Sequence, residues 1–259
     1  AKQLVDYCDI LIDGNRVMLR NPGQAIDLGA VAKGAACTII RQVAFLGIVS
    51  IGQTLVILTG GIDLSVGSTL VAVGAMVMMV VDGSATGLLA GMGITGVPAY
   101  IIAIAVGLVF GALLGWLNGV LIAHGKLPPF IATLGTMQIC RSLDYVISNA
   151  NTASKFPEVY SVLGKGKIGG SFPVYILFIF GMFAIFIWIM GKTKFGRFLY
   201  AIGSNAESAR LTGINVKFNV MMAYVISGLM CGLAAWIMTS RLMACDATYG
   251  DGMEMDAIA

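Results

Sequence analysis

The 259 residues are 58% hydrophobic and only 11% charged, with a mean hydropathy of +0.90, where an ordinary soluble domain is about a quarter charged. The net charge of +3, spread over 16 basic and 13 acidic residues, is too small and too dispersed for a nucleic-acid binder. What remains is a membrane protein, and the apolar runs say of which kind.

Residues 1 to 37 come first and are mixed and polar. "DYCDILIDGNRVMLRNPGQ" carries no secretory signal pattern, and it reads as a cytosolic or interfacial segment, or as one joined to the rest from elsewhere. Six runs near the length of a membrane span follow: roughly 38 to 58, 65 to 81, 98 to 123, 129 to 148, 172 to 190 and 219 to 238. The third and fifth hold no charged residue. One such run fits a buried core helix; several do not. The expected fold is therefore all-α, a polytopic transmembrane bundle of about six spans in this chain.

The first two runs are parted by "TGGIDLS", residues 59 to 65. Gly60 and Gly61 disfavour continuing the helix, while Asp63 and Ser65 can cap the next one. A broken helix is tolerated in a membrane only where protein or water covers it. Asp63 is thus either a cap or part of a gate near one end of a pathway. Gln53 and Asn118 place amides inside otherwise apolar spans. After Pro128 and Pro129, "TLGT" offers the hydroxyls of Thr133 and Thr136 at a second helix start. Neutral amides and hydroxyls suit an uncharged polyol.

In the third span Gly107, Gly111, Gly115 and Gly119 recur every four residues, and Gly228 and Gly232 repeat the spacing in the sixth. Such small-residue ridges let helices approach closely in lipid, within one subunit or at a dimer seam. Arg141 and Asp144, three apart in the fourth span, are expected to share a face and neutralise each other. The lone His124 borders a short loop and reads as solvated. Cys8, Cys37, Cys140, Cys231 and Cys245 have no metal-like spacing, and three of them lie in or beside apolar runs as small hydrophobes. No metal site and no catalytic motif is present, nor a P-loop.

Lys192, Lys194, Arg197, Arg210 and Lys217 follow the fifth span and place that loop in the cytoplasm. Counting back puts the "TGGIDLS" break on the cytoplasmic side or partway into the membrane. Residues 1 to 37 then fall outside, although Lys2, Arg16, Arg20 and Lys33 lie there and Arg41 follows closely. The acidic "CDATYGDGMEMDAIA" at 245 to 259 suits the outside. Within the basic loop, "NAESARLTGIN" predicts a short helix capped by Asn205, with Glu207 in its first turn and Gly213 at its end. Ala206, Ala209 and Gly213 keep one side small, as a docking knob for a soluble partner would.

"GRFLYAIGSNAESARLTGINV" resembles the cytoplasmic coupling loop of permease subunits of bacterial ABC sugar importers, the ribose-type group. Glu207, Ser208, Ala209 and Gly213 echo the Glu-Ala-Ala-x3-Gly signature of importer permeases, with serine in place of the second residue's alanine. "GGIDLSVGS" (60 to 68), "NGVLIAHGKLPPFIATLGTM" (118 to 137), "YVISGLMCGLAAWI" (224 to 237) and "EMDAIA" (254 to 259) follow the same family in order, so that the likeness covers about 41 to 259. The resemblance implies a monosaccharide permease of the bacterial inner membrane working by alternating access. Gly203, Asn205, Glu207, Ala209, Arg210 and Gly213 would form its ATPase-coupling loop. Implied partners are a second permease copy, a cytoplasmic ABC ATPase and a periplasmic or lipid-anchored solute-binding protein, besides membrane lipid. ATP and Mg would sit on the ATPase, with no cofactor on this chain. Residues 1 to 37 replace the family's hydrophobic first span, and the family continues beyond residue 259, so the 38 to 259 domain is expected to lack C-terminal spans. The alternatives are a stand-alone secondary transporter or channel, and an ABC permease for a nucleoside, a branched-chain amino acid or a signalling sugar.

Overall fold

The computed structural model describes residues 10–13, 16–19, 45–81, 88–94, 96–148, 158–161, 164, 166–168 and 172–259. The chain divides into two compact units, Ala1–Gln42 and Val43–Ala259, a boundary five residues beyond the one expected from composition. In the first unit, strand β1 (Ile10–Asp13) pairs antiparallel with β2 (Arg16–Leu19), Ile10 opposite Leu19 and Asp13 opposite Arg16. The rest of the polar segment, with Lys2, Cys8, Cys37 and Arg41, lies outside the described residues.

The second unit is a helical bundle. Its helices are α1 (described over Phe45–Leu58), α2 (Val66–Val81), the single turn α3 (Leu88–Gly91), α4 (Val97–Ala123), α5 (Pro129–Ser148), α6 (Val174–Lys192), α7 (Lys194–Ser204), α8 (Ala206–Leu211), α9 (Val216–Leu242) and α10 (Met253–Ile258). A two-residue strand pair, β3 (Lys167–Ile168) with β4 (Phe172–Pro173), precedes α6. Where described, the six expected runs are helical to within a few residues of their expected bounds, with Phe172 and Pro173 in a strand instead; residues 38 to 44 of the first run lie outside the described residues. The break falls at residues 59 to 65, between α1 and α2.

The spans differ in kind. Only α4, α6 and α9 among the described helices are both long and apolar enough to cross a membrane by themselves; α1 and α2 are shorter. At 16 residues α2 is roughly 24 Å long, less than the hydrocarbon thickness of about 30 Å. It is the central helix: every residue but Met76, Met78 and Met79 is buried. Protein covers it nearly all round, so lipid does not dictate its length. By contrast α6 buries only Tyr175 and Phe186, although its sequence is the more apolar.

The glycine ridge on α4 is spent inside the chain. A Cβ on Gly111 would meet Gly228 O, one on Gly115 would meet Tyr224 O, and one on Gly119 would meet Met221. Gly232 answers against Gly107 O. Rising numbers on α4 meet falling numbers on α9, so the two run antiparallel with backbones in contact. Gly107 itself faces Val73 and Val77 of α2. α2 and α5 run parallel at a constant offset, Ile62 meeting Thr133 and Thr69 meeting Cys140.

Beyond α9 the chain turns at Met243 (φ 52°). It runs back beside α2: Cys245 lies on Val71 O and Gly74, then Gly250 on Gly67 O. Asp251 there takes Arg141 of α5 at 2.8 Å. The expected Arg141–Asp144 pair is not formed, because Arg141 turns towards the returning segment while Asp144 points into the protein, 1% exposed. Cys140, Cys231 and Cys245 are free and buried, as small hydrophobes would be. The end of the bundle where α9 finishes is pinned by Tyr160, whose OH lies 3.1 Å from Thr239 Oγ1. Ser240 Oγ donates to Tyr160 O at 2.5 Å and accepts from Gly164 N at 3.0 Å. Burial pushes the Tyr160 hydroxyl above its ordinary pKa.

Candidate functional site

Two places hold the residues singled out from the sequence. The first is a polar knot around the helix break. Glycine at positive φ ends α1: Gly60 has φ 78°, and Gly61 N donates to Val56 O at 3.1 Å. The chain then carries Asp63 inward. Asp63 Oδ1 accepts from Ser65 N at 2.9 Å and from Ser65 Oγ at 2.6 Å, while Ser227 Oγ of α9 donates to Oδ2 at 3.5 Å. Asn118 Nδ2 of α4 donates to Ser65 Oγ at 2.9 Å, and Thr136 Oγ1 of α5 donates to Asn118 Oδ1 at 2.5 Å. Gln53 of α1 matches the Asp63 backbone, its amide nitrogen 3.3 Å from Asp63 O and its oxygen 3.2 Å from Asp63 N. Thr133 Oγ1 donates to Pro129 O at 2.9 Å and reaches Ile62 O at 3.5 Å.

Gln53, Asp63, Ser65, Asn118, Thr133 and Thr136 therefore come together in one network joining α1, the break, α4 and α5, and each is at most 3% exposed. The capping differs from expectation in detail. Asp63 bonds the N–H and hydroxyl of Ser65 rather than the first turn of α2, and the Ser65 hydroxyl is engaged by Asn118. Such a network is filled rather than open: its polar atoms are used up on each other, as buried polar groups must be. Ser227 escapes a reading of the sequence. Its signal is a lone serine in the apolar "YVISGLMCG", faint because serine is common in such spans.

Beside the knot lies a cleft of about 250 Å³ lined by Thr59, Gly60, Gly61, Pro129, Lys217 and Tyr224 among others. Tyr224 is fully buried and its OH has no hydrogen-bond partner among the described residues.

The second place is the basic loop. α7 is a helix that the sequence reading misses, although Thr193 caps it, Oγ1 accepting from Gly196 N at 3.3 Å. Its buried face is Gly196, Leu199 and Ile202, a three-residue spacing legible in the sequence. α8 forms where expected. Asn205 Oδ1 accepts from Ser208 N at 2.9 Å, and Gly213 at φ 85° ends it, with Ile214 N donating to Ala209 O. Glu207 and Arg210 pair at 2.7 Å on the exposed surface. The small side faces outward only in part: Ala206 and Gly213 are exposed but Ala209 is buried, and Glu207, Ser208, Arg210 and Leu211, the last 79% exposed, stand out beside them. Gly203 seats α7 on α1, since a Cβ there would meet Leu58 O. The loop thus bears on the last residue of α1, directly before the break.

His124 is exposed after α4. No group of three or more metal-ligating side chains occurs among the described residues.

Compared with known proteins, residues 35–259 match the family described as branched-chain amino acid transport system / permease component. The chain is 41% identical over 223 residues to the ribose import permease protein RbsC of Bacillus subtilis (strain 168), covering 85% of this chain and 65% of that protein. It is 36% identical over 226 residues to RbsC of Haemophilus influenzae, with the same coverage. It is also 36% identical over 227 residues to the fructose import permease protein FrcC of Rhizobium meliloti, covering 85% of this chain and 60% of that protein. The chain thus spans less than two thirds of the length of these relatives. No solved structure matches it.

Proposed function

The chain belongs to the branched-chain amino acid transport system / permease component family, and from that premise we propose that it is the membrane-spanning part of an ATP-driven importer of a monosaccharide, ribose-like in kind. It works in the bacterial inner membrane as a multi-pass subunit. The likeness to import permeases named for ribose and fructose supports a sugar as the cargo. ATP and Mg are handled by a cytoplasmic ABC ATPase, a periplasmic or lipid-anchored binding protein delivers the sugar, and a second permease copy completes the pore.

The observation that carries this reading is the seat of α7 and α8. Glu207, Arg210 and Leu211 stand out from a short capped helix, and Gly203 on the same loop presses on Leu58 O at the end of α1. Force on the exposed helix reaches the break through one backbone contact. ATPase closure would move that loop, shift α1 against the knot at Asp63, and change which end of the bundle is open. The two arrangements need differ by only a few kcal/mol for nucleotide to bias them.

The test uses the full-length protein, tagged and co-expressed with its ATPase. Recovery of the ATPase from detergent-solubilised membranes should be lost with Glu207→Arg, while the variant still inserts. Undiminished recovery with Glu207→Arg would remove α8 as the coupling element. Failure of the unaltered protein to bring down any ATPase would overturn the importer reading itself.

A further inference from the structure

The knot at Asp63 is closed, so it is a poor lining for a path that water and sugar must wet. A different surface has the opposite character. On α5, Gln138, Ser142 and Tyr145 are exposed and recur at helical spacing on one face. Arg141 flanks that face on one side, its side chain 35% exposed and paired at 2.8 Å with Asp251, 58% exposed, of the returning segment. Ile139 and Val146 flank it on the other, both open and both apolar.

The depth of this face follows from contacts already described. Ser65 at the start of α2 is level with Asn118, near the basic end of α4, and Val73 and Val77 are level with Gly107. Thr69 meets Cys140, so Arg141 lies level with Leu70, about halfway along α4. An amide, a hydroxyl, a phenol and an ion pair are thus open at mid-bundle, where α4 and α9, at 27 residues each, run roughly 40 Å from end to end. Ionisable side chains at that depth face a protein interior or a water-filled cavity, because hydrocarbon leaves them unsolvated. The returning segment is itself interrupted backbone at membrane depth, a single 3-10 turn (Ala247–Gly250) flanked by residues outside any helix, which only protein or water can cover.

We propose that this face of α5, with the Arg141–Asp251 pair beside it, lines the water-filled route of the sugar. The inference rests on the importer reading above. The chemistry fits a neutral polyol: Gln138 and Ser142 each offer donor and acceptor, Tyr145 adds a flat apolar ring with a hydroxyl, and the one cation there is neutralised by its carboxylate. An anionic cargo would find its cation on this face already paired with Asp251. Ile139 and Val146 mark where the wet face gives way to an apolar one.

The experiment uses the full-length protein assembled with its ATPase, with Cys8→Ser and Cys37→Ser to leave the buried Cys140, Cys231 and Cys245. Gln138→Cys, Ser142→Cys and Ile139→Cys are each exposed to a charged, membrane-impermeant methanethiosulfonate in sealed vesicles of both orientations, with and without D-ribose. The first two should label, and ribose should slow that labelling; Ile139→Cys, at the same depth on the apolar flank, should not. Gln138→Leu should lower ribose uptake about tenfold, as expected for one lost polar contact of about 1.4 kcal/mol, while ATPase recovery is unchanged. Labelling of Ser142→Cys no faster than Ile139→Cys overturns the proposal, and so does disulfide formation between two Ser142→Cys copies, which would make the face a subunit contact. If unaltered protein recovers its ATPase yet none of these variants is wetted, the pathway assignment falls and the importer reading stands.

Discussion

Asn118 Nδ2 donates to Ser65 Oγ across 2.9 Å while Asn118 Oδ1 accepts from Thr136, so one amide ties α4 and α5 to the residue before α2. An apolar side chain in its place would remove both inter-helix bonds, leaving Ser65 Oγ its bond to Asp63 and Thr136 Oγ1 its bond to Ala132 O. Each hydrogen bond lost costs about 0.5–1.5 kcal/mol. Asn118→Leu should therefore lower the thermal midpoint in detergent clearly, while Thr133→Val, whose side chain bonds mainly to its own helix, should cost less. Equal losses from the two would mean that the inter-helix bonds contribute little.

The α4–α9 contact is set by absent side chains. Gly115→Leu would drive a side chain into the Tyr224 carbonyl, a backbone atom that cannot turn away. Overpacking costs about 1–3 kcal/mol where neighbours can adjust, and the loss here should reach at least the upper end. On α6, an alanine methyl at Gly181 would have nothing within 4 Å of it, so Gly181→Ala should be neutral or stabilising by up to about 1 kcal/mol from helix preference. Thermal unfolding of the two variants side by side checks the contrast.

At the exposed helix α8, stability and the proposed docking should separate. The Glu207–Arg210 pair is two-thirds exposed on both sides, and such pairs contribute about 0–1 kcal/mol. Glu207→Arg should leave the melting temperature nearly unchanged while ATPase recovery falls. Asn205→Ala removes a cap at a cost of about 1 kcal/mol, and faster proteolysis at residues 205 to 213 should report it.

Ser240 is the pin at the opposite end. Its hydroxyl both receives Gly164 N–H and donates to Tyr160 O. Ser240→Ala should expose the segment around Tyr160 to faster amide exchange, with a stability loss of about 1–3 kcal/mol. Exchange unchanged around residues 158 to 164 would show that the pin does not hold that segment.

The α5 helix shows where reading from sequence stops. Its existence is evident from an apolar run after Pro128-Pro129, and the position of Arg141 and Asp144 on neighbouring turns suggests a pair. The actual partner of Arg141 is Asp251, 110 residues on. Nothing local distinguishes the two carboxylates. The choice depends on the chain after α9 folding back beside α2, which a mere acidic tail does not announce.

By itself the sequence determined which stretches are helical, where the first helix breaks, which glycines form ridges and which loop carries the basic charge. Those features are local: apolar runs of span length, glycine beside a capping residue, and repeats every four positions leave their mark on adjacent residues. Only the tertiary structure decided that α2 is central and α6 peripheral, that the glycine ridges meet inside one chain, that Asp63 is closed into a knot, and that α5 turns an amide, a hydroxyl and a phenol outward. In a chain where nearly every helix is apolar all round, hydrophobicity no longer marks an inner face. Which side is buried is settled by backbone contact and by the pairing of the few polar groups, and both are set between residues far apart in the chain.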